Sequence, residues 1–233
     1  MRLQSNATAA FLALSLGGLL PLGCGGGNAT TDGGTTIAMP DLAPRPPDLA
    51  PPPPPPYPTV GIGTQIGDIV YDIEIEGYQL TPQQSDSSML PYGSIKLDQY
   101  FQNPMCKCIL LSVSAEWCTP CQIEQTSLPD YVRSHPSLCV MNVLVEGKQE
   151  TNPPTYATMK DVSDWTQAFS QDYPVGLPGA NMRRHLPETN PPALPTNVVI
   201  DPKTMTILDV NSGVNSSDPN SDFDMVMQTC GAM

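Results

Sequence analysis

A block of prolines restricts folding to the part of the chain that follows it. Eleven of the 28 prolines fall within residues 40–58, and six of them are consecutive from Pro51. Proline fixes φ and lacks a backbone N–H, so this stretch favours an extended polyproline II rod over helix or sheet. We therefore predict a disordered Gly/Pro-rich stalk over residues 24–59 and a single folded domain over residues 60–233.

The first 23 residues have the plan of an export signal. Arg2 precedes an apolar stretch, residues 9–22, which is too short to span a bilayer. Leu20-Pro21-Leu22-Gly23-Cys24 resembles a bacterial lipobox, although Pro21 stands where such sites carry an aliphatic residue. We predict a signal peptide over residues 1–23 and lipid on Cys24, with the protein anchored in a membrane of the cell envelope on its periplasmic side. The alternative is an ordinary secretory signal with a chance cysteine.

The charge of the chain and the lengths of its apolar runs argue against two classes of protein. Ten Lys and Arg against 23 Asp and Glu give a net charge of −13, which repels phosphate backbones, so nucleic-acid binding is not expected. No apolar run of ~18 residues occurs beyond the N-terminus, so an integral membrane body is not expected either.

Hydrophobic periodicity in the second part of the chain alternates strands with helices. Val162, Trp165 and Phe169 mark the apolar face of a helix over about residues 158–171. Alternation of apolar and charged residues, or a short continuous apolar run, predicts strands. These strands are expected at residues 69–76, 109–114, 140–145, 197–200 and 205–210. The pattern predicts an α/β domain with a partly parallel sheet.

The motif Trp117-Cys118-Thr119-Pro120-Cys121 is the most informative segment. It follows a buried strand and opens a helix, so Cys118 is expected at an exposed helix N-terminus, which stabilises a thiolate. Cys121, one turn later, is placed to attack a mixed disulfide formed at Cys118. A zinc site would need two further ligands. The nearest pair, Cys106 and Cys108, lies ~20 Å away along the intervening strand, so no metal is predicted.

The motif and its surroundings resemble the TlpA-like branch of the thioredoxin superfamily. Proteins of this branch are exported thiol-disulfide oxidoreductases. The matching segments are residues 61–68, 94–97, 114–121, 173–175 and 194–201. The resemblance implies a thioredoxin-like fold, with a central mixed sheet flanked by helices, and no cofactor. It also implies that Pro195 is a cis-proline facing the active-site cysteines. Trp117, Leu194 and Pro195 would then contact a substrate chain.

A carboxyl group is implied by the same resemblance. TlpA-like proteins often carry a glutamate three residues after the second cysteine, here Glu124, whereas thioredoxins proper have a buried acid where this chain has Ser112. Glu124 would exchange a proton with the thiol of Cys121. The alternative is a surface charge in the first turns of a helix. Glu116, beside Trp117, is expected to be solvated.

Four further cysteines, Cys106, Cys108, Cys139 and Cys230, are candidates for structural disulfides in an exported protein. In a thioredoxin-like fold Cys108 and Cys139 begin neighbouring strands, which favours pairing them and leaves Cys106 for Cys230. Four cysteines allow three connectivities, and the sequence does not choose among them.

These features together predict an exported protein that exchanges dithiol and disulfide with protein thiols and with a redox partner protein. The competing class is a non-catalytic thioredoxin-fold binding module displayed on a membrane stalk. Reductase, oxidase and isomerase activities differ in redox potential, which the sequence does not define.

Overall fold

The computed structural model describes residues 55–80, 92–148, 155–180, 182, 185 and 193–232. The predicted signal peptide, Cys24 and the stalk as far as residue 54 lie outside the described residues. The described part forms seven strands and three α-helices. None of its helices combines the length and apolar character needed to cross a membrane.

The elements follow the predicted order closely. The strands are β1 (Glu74–Tyr78), β2 (Tyr92–Lys96), β3 (Cys108–Ala115), β4 (Leu138–Glu146), β5 (Val175–Pro178), β6 (Thr196–Asp201) and β7 (Thr206–Ser212), and the helices are α1 (Thr119–Ser134), α2 (Met159–Phe169) and α3 (Pro219–Thr229). The two apolar runs are confirmed as β3 and β4, and the predicted helix as α2. The strand predicted from residue 69 begins only at Glu74, and β2 and β5 were not predicted as strands.

All seven strands belong to one sheet in the order β2-β1-β5-β4-β3-β6-β7. β3 is parallel to β4, and β4 is parallel to β5. The other neighbouring pairs are antiparallel, so the sheet is mixed. β3 and β4 lie near the middle, and the chain passes from one to the other through α1 as parallel neighbours require.

Two hydrophobic clusters cover the two faces of the sheet. All eight residues of β3 are buried, and they alternate between the clusters: Leu110 belongs to the first, Ile109 and Leu111 to the second. Buried apolar side chains of all three helices, such as Trp165, belong to the first cluster. The second cluster is closed by segments without α-helix, including the short 3-10 helix Leu97–Tyr100. The described helices therefore pack on one face.

The end of the predicted stalk contacts the domain. The hydroxyl of Tyr57 donates a hydrogen bond to the carbonyl of Val70 at 2.8 Å. Its ring meets that of Phe101 edge-on, with centroids 5.7 Å apart. Burial raises the pKa of Tyr57. Contacts of the folded domain thus begin before the boundary predicted at residue 60.

The four additional cysteines form two disulfides at the start of β3, Cys106–Cys139 and Cys108–Cys230. The pairing favoured from the sequence, Cys108 with Cys139, is wrong, and so is that of Cys106 with Cys230. The strand register explains why: Ile109, not Cys108, stands opposite Cys139. A one-residue offset points two side chains to opposite faces. Cys108 therefore faces the helices and reaches Cys230, whereas Cys139 faces the second cluster, where Cys106 lies.

Candidate active site

The two cysteines of the motif lie where β3 ends and α1 begins, and their sulfurs form a disulfide. Cys118 is the N-cap of α1: its backbone is extended, and its Sγ accepts a hydrogen bond from the N–H of Cys121, with N and S 3.2 Å apart. Pro120 has no backbone N–H. The amide of Cys121 is therefore one of the few donors at this helix end, where the N–H groups have no carbonyl partner within the helix. The same position would stabilise a thiolate of Cys118.

The expected exposure of Cys118 is wrong. Cys118 is 2% exposed and Cys121 is fully buried. Trp117 and Leu194 pack against the hydrophobic cluster that contains both cysteines, whereas Thr119 is exposed. In the disulfide form the motif presents its central residues to solvent and keeps its sulfurs covered.

Trp117 is held in place by the end of β4. Its indole N–H donates to Oε2 of Glu146 at 2.8 Å. The backbone N–H groups of Glu116 and Trp117 donate to the carbonyls of Glu146 and Gly147 at 2.9 and 3.2 Å. These bonds continue the pairing of β3 with β4 beyond the irregularity after Ser114. The indole beside Cys118 is therefore positioned by both main chain and side chain.

Glu116 is not solvated as expected. Its side chain is 14% exposed, and Oε1 lies 3.7 Å from the Nζ of Lys148. Burial raises the pKa of Glu116, and the positive charge of Lys148 offsets part of that rise. Lys148 also forms an ion pair with Asp164 at 2.8 Å. Asp164 also pairs with Lys160 at 2.7 Å, so the charged cluster near Trp117 combines carboxylates with two lysines.

Glu124 is fully buried, so the alternative of a surface charge is wrong. Its Oε1 accepts hydrogen bonds from the hydroxyl of Ser112 at 2.7 Å and from the amide of Gln125 at 3.0 Å, and its Oε2 accepts from the amide of Asn197. No salt bridge among the described residues includes Glu124. Burial raises the pKa of Glu124, and the three hydrogen bonds offset only part of the rise.

Glu124 belongs to a buried polar network that the sequence reasoning missed. The amide oxygen of Gln125 accepts from the hydroxyl of Tyr173 and from Gln171, both at 2.6 Å. The amide of Asn142 donates to the hydroxyls of Ser112 and Ser114. Other members are Trp165, which donates to Asn142, and Asn197, which donates to Glu124. Only the fold brings these scattered residues together, so no local pattern could have indicated them.

The Leu194–Pro195 peptide bond is cis, which is the form that the resemblance implies. It lies directly before β6. Leu194 packs against both hydrophobic clusters. The carbonyl of Pro195 accepts from the N–H of Gly213 at 3.0 Å, and the hydroxyl of Thr196 donates to the carbonyl of Ala193 at 2.6 Å. Hydrogen bonds thus hold the turn before β6 both within itself and to Gly213, which follows β7.

The structure places most of the candidate residues around one end of β3, where Val113 stands opposite Thr196, the residue that follows the Leu194–Pro195 turn. Trp117, Cys118, Cys121 and Leu194 contact one hydrophobic cluster, and Glu124 is joined to β6. Among the described residues, no group of three His, Cys, Asp or Glu side chains is placed to hold a metal ion.

No family model matches the chain, and no curated protein matches it. Solved structures do. One from Chlorobium tepidum, assigned as the thiol:disulfide interchange protein DsbE, is 16% identical, covers 72% of this chain and 100% of its own, and has a TM-score of 0.50. The thioredoxin domain of a thiol-disulfide oxidoreductase from Bacteroides vulgatus is 13% identical, with coverages of 70% and 98% and a TM-score of 0.46. A solution structure from Bacteroides thetaiotaomicron, assigned as a protein disulfide isomerase, is 16% identical, with coverages of 72% and 89% and a TM-score of 0.46.

The fold is thioredoxin-like, as predicted. The Chlorobium structure matches along its whole length, and the mixed sheet with its three helices agrees with the architecture expected from the sequence. A likeness at this identity concerns the fold, so the chemistry must be argued from the residues of this chain.

Proposed function

We propose that the protein is a thiol-disulfide oxidoreductase that acts on protein thiols and disulfides through Cys118 and Cys121. The observation that carries the proposal is the disulfide between these residues at the N-terminus of α1. The cis bond before Pro195 and the buried carboxyl of Glu124, one helical turn after Cys121, support it. The thioredoxin-like fold is consistent with this chemistry.

In the reducing direction, the thiolate of Cys118 attacks one sulfur of a partner's disulfide. A mixed disulfide forms, and the partner's other sulfur leaves as a thiolate. The thiolate of Cys121 then attacks the sulfur of Cys118, the bond to the partner breaks, and the Cys118–Cys121 disulfide forms. Two electrons pass to the partner, whose two sulfurs take up two protons. A redox partner protein must then reduce the domain again, and the oxidising direction runs the same steps in reverse.

The two cysteines differ in their surroundings. Cys118 caps α1 and receives the N–H of Cys121, so its thiolate would be stabilised by the helix end. Cys121 lies inside the first turn and is fully buried, where an unassisted thiolate is unfavourable. We assign the attack on the partner to Cys118 and release of the partner to Cys121.

Glu124 is proposed to accept the proton of Cys121. A carboxyl group with an ordinary pKa is a weak base for a thiol with a pKa near ~8.5, because the two values lie far apart. Burial raises the pKa of Glu124 and so makes its carboxylate a stronger base. Ser112, at the position of the acid in thioredoxins proper, donates to this carboxyl at 2.7 Å.

The proposed location is the periplasmic side of the cell envelope, with lipid on Cys24 and the stalk over residues 24–59 between membrane and domain. The sequence of residues 1–24 motivates the anchor. The two additional disulfides support an oxidising compartment, because such bonds persist in exported proteins and are rare in the cytosol.

A specific observation favours the alternative of a non-catalytic binding module. Cys118 is only 2% exposed, so a partner sulfur has little direct access to it in the disulfide form. Exchange therefore requires the side chains around the motif, such as those of Trp117 and Leu194, to move aside. A binding module would keep the disulfide as a staple of the first turn of α1.

Trapping of mixed disulfides separates the two functions. With the active-site thiols reduced and a partner protein carrying a disulfide, Cys121→Ser should accumulate a mixed disulfide on Cys118, whereas the double variant Cys118→Ser/Cys121→Ser should trap nothing. Non-reducing gels and mass spectrometry identify the adduct. Accumulation by Cys118→Ser alone would reverse the two assignments. If no variant forms an adduct, and the wild-type disulfide does not equilibrate with glutathione buffers, the protein is a binding module.

A further inference from the structure

Asn197 connects two parts of the site that the proposed function treats separately. It is the second residue of β6, two positions after Pro195, and its amide N–H donates to Oε2 of Glu124. It is 6% exposed. The residue therefore lies between the cis turn, where the resemblance places a docked substrate chain, and the carboxyl proposed to move a proton.

The strand register fixes the backbone of Asn197 on both sides. It stands opposite Ser112 on β3 and opposite Asn211 on β7. Ser112 donates to Oε1 of Glu124 while Asn197 donates to Oε2, so two paired residues of neighbouring strands hold the two carboxyl oxygens. A displacement of β6 relative to β3 would therefore change the hydrogen bonding of Glu124 directly.

The turn before β6 can pass on such a displacement. Thr196 is tied to the carbonyl of Ala193, Pro195 is tied to Gly213, and Leu194 packs against both hydrophobic clusters. A chain that pairs with the backbone at Leu194 must therefore act on one connected segment that ends at Asn197.

The amide of Asn197 also suits both protonation states of its partner. Its N–H donates to a carboxylate, and its Oδ1, which is buried and has no hydrogen-bond partner among the described residues, would accept from a protonated carboxyl after a half-turn of the amide. The hydroxyl of Ser112 could likewise donate to a carboxylate or accept from a protonated carboxyl. Ser112, however, lies on β3 and not on β6, the strand that follows the cis turn. Gln125 lies on α1 with Glu124 itself.

We propose that Asn197 is a positioning residue that couples docking of a partner chain at Leu194–Pro195 to proton transfer by Glu124. The proposal rests on the proposed function and deepens it. The hydrogen bonding of Glu124 would change only when an extended chain, and not merely a small thiol, pairs with the backbone at Leu194–Pro195, which we call the docking edge. The reaction steps and their electron balance are unchanged.

The titratable groups around Glu124 come from two helices and one loop. Cys121 lies on α1 with it, Asp222 of α3 adds a negative charge that raises its pKa, and Tyr173 lies just before β5. Tyr173 has its own pKa raised well above the ordinary value by burial. These groups are the same in wild type, Asn197→Leu, Ser112→Ala and Asn211→Leu, and the Cys121→Ser change is common to both adducts compared below. A shift within either comparison therefore does not come from the loss of a titratable neighbour.

The first measurement follows the carboxyl titration of Glu124 by carbon NMR in the full chain, assigned by its loss in Glu124→Gln. The hydrogen bond from Asn197 favours the carboxylate, so Asn197→Leu should raise the titration midpoint by about one pH unit. Ser112→Ala should raise it similarly. Asn211→Leu is the matched control, because Asn211 pairs with Asn197 across the strands and its amide donates instead to Asp209. It should leave the midpoint unchanged.

The second measurement tests the coupling. In a Cys121→Ser background, Cys118 is joined either to a cysteine-containing extended peptide of about nine residues or to free cysteine, which cannot pair with the docking edge. The midpoint of Glu124 should differ between the two adducts by at least a few tenths of a pH unit. Asn197→Leu should abolish that difference, whereas Ser112→Ala should keep it.

The proposal is overturned by equal midpoints in the two adducts of the Cys121→Ser parent, or by a difference that survives Asn197→Leu. If Asn197→Leu does not fold, Asn197→Asp retains the shape and adds a carboxyl. Asn197→Asp should raise the titration midpoint of Glu124 above that of the wild type, and an unchanged midpoint overturns the proposal. Failure of Cys118 to form either adduct counts against the proposed function instead, and the first measurement on the free protein still decides whether Asn197 acts on Glu124.

Discussion

The buried carboxyl of Glu124 carries a desolvation cost. It is fully buried, and no salt bridge among the described residues compensates its charge. A buried ionised carboxylate without a cation is strongly unfavourable unless hydrogen bonds offset the loss of water, and such a group shifts its pKa instead. The donors from Ser112, Gln125 and Asn197 provide part of that offset.

This cost predicts a pH-dependent stability. The pKa of Glu124 in the folded protein lies above its ordinary value of 4.5, so the folded state holds the proton more tightly than the unfolded state. The resulting stabilisation is fully present below the unfolded pKa and is lost as the pH rises through the folded pKa. Glu124→Gln is neutral at every pH and lacks this dependence. The free energy of unfolding of the wild type should therefore fall relative to that of Glu124→Gln as the pH rises.

Urea unfolding from about pH 4 to about pH 9, with all disulfides intact, measures the difference. Glu76→Gln is the matched control, because Glu76 is an exposed glutamate of β1 and its loss removes the same formal charge. A difference between wild type and Glu124→Gln that stays constant over the whole range would show that Glu124 keeps the same pKa on unfolding.

At the scale of elements, the helix that positions Glu124 was found, but its buried face was not. α1 buries Cys121, Glu124, Gln125 and Leu128, at spacings of three and four that match one helix face. Two of these side chains are polar, so a hydrophobicity pattern does not distinguish this face from the solvent face. The resemblance singled out Glu124, whereas its burial became evident only from the folded sheet and helix.

Strands were predictable where burial on both faces gives a continuous run of apolar residues. They were not predictable where glycine interrupts the run. β3 and β4 are long and apolar, whereas β5 is four residues with glycine and proline. Gly176 faces Gly77 of β1 because the backbones approach closely: a Cβ on Gly77 would lie 2.0 Å from the carbonyl oxygen of Val175. The sequence also does not determine the register of β3 against β4. The disulfide pairing depends on that register, so it was predicted wrongly.

The observed pairing predicts how each disulfide contributes to stability. Cys108–Cys230 joins β3 to the end of α3 across 122 residues, and Cys106–Cys139 closes 33 residues. Loop-closure entropy gives ~5 kcal/mol for the longer loop and ~4 kcal/mol for the shorter one. Replacing both cysteines of a pair by alanine should therefore destabilise the domain most for Cys108→Ala/Cys230→Ala.

Denaturant unfolding of three double variants tests this order. Cys118→Ala/Cys121→Ala is the internal comparison, because its cysteines are three residues apart and its loss should be the smallest of the three. Equal losses for all three pairs would show that local strain and packing, not loop closure, determine what these bonds contribute.

At the scale of the whole molecule, the proposed attachment to a membrane concerns the N-terminal segment. The chain has a net charge of −13, and anionic lipid surfaces repel negative charge. The proposed lipid at Cys24 would supply an attachment that does not depend on surface charge, since each buried CH₂ of an acyl chain contributes ~0.8 kcal/mol.

We expect Cys24→Ala to release the protein from membranes when the full chain is expressed in a bacterium with its own N-terminus. The wild type should sediment with membranes and resist extraction by salt, because acyl burial, unlike surface charge, is not screened. Pro21→Leu is the informative companion: it places an aliphatic residue where lipoboxes carry one and should increase the lipidated fraction. Mass spectrometry of the mature N-terminus reads the modification directly. An unmodified wild-type chain that begins elsewhere than at Cys24 would show an ordinary secretory signal, and the domain would then act free in its compartment.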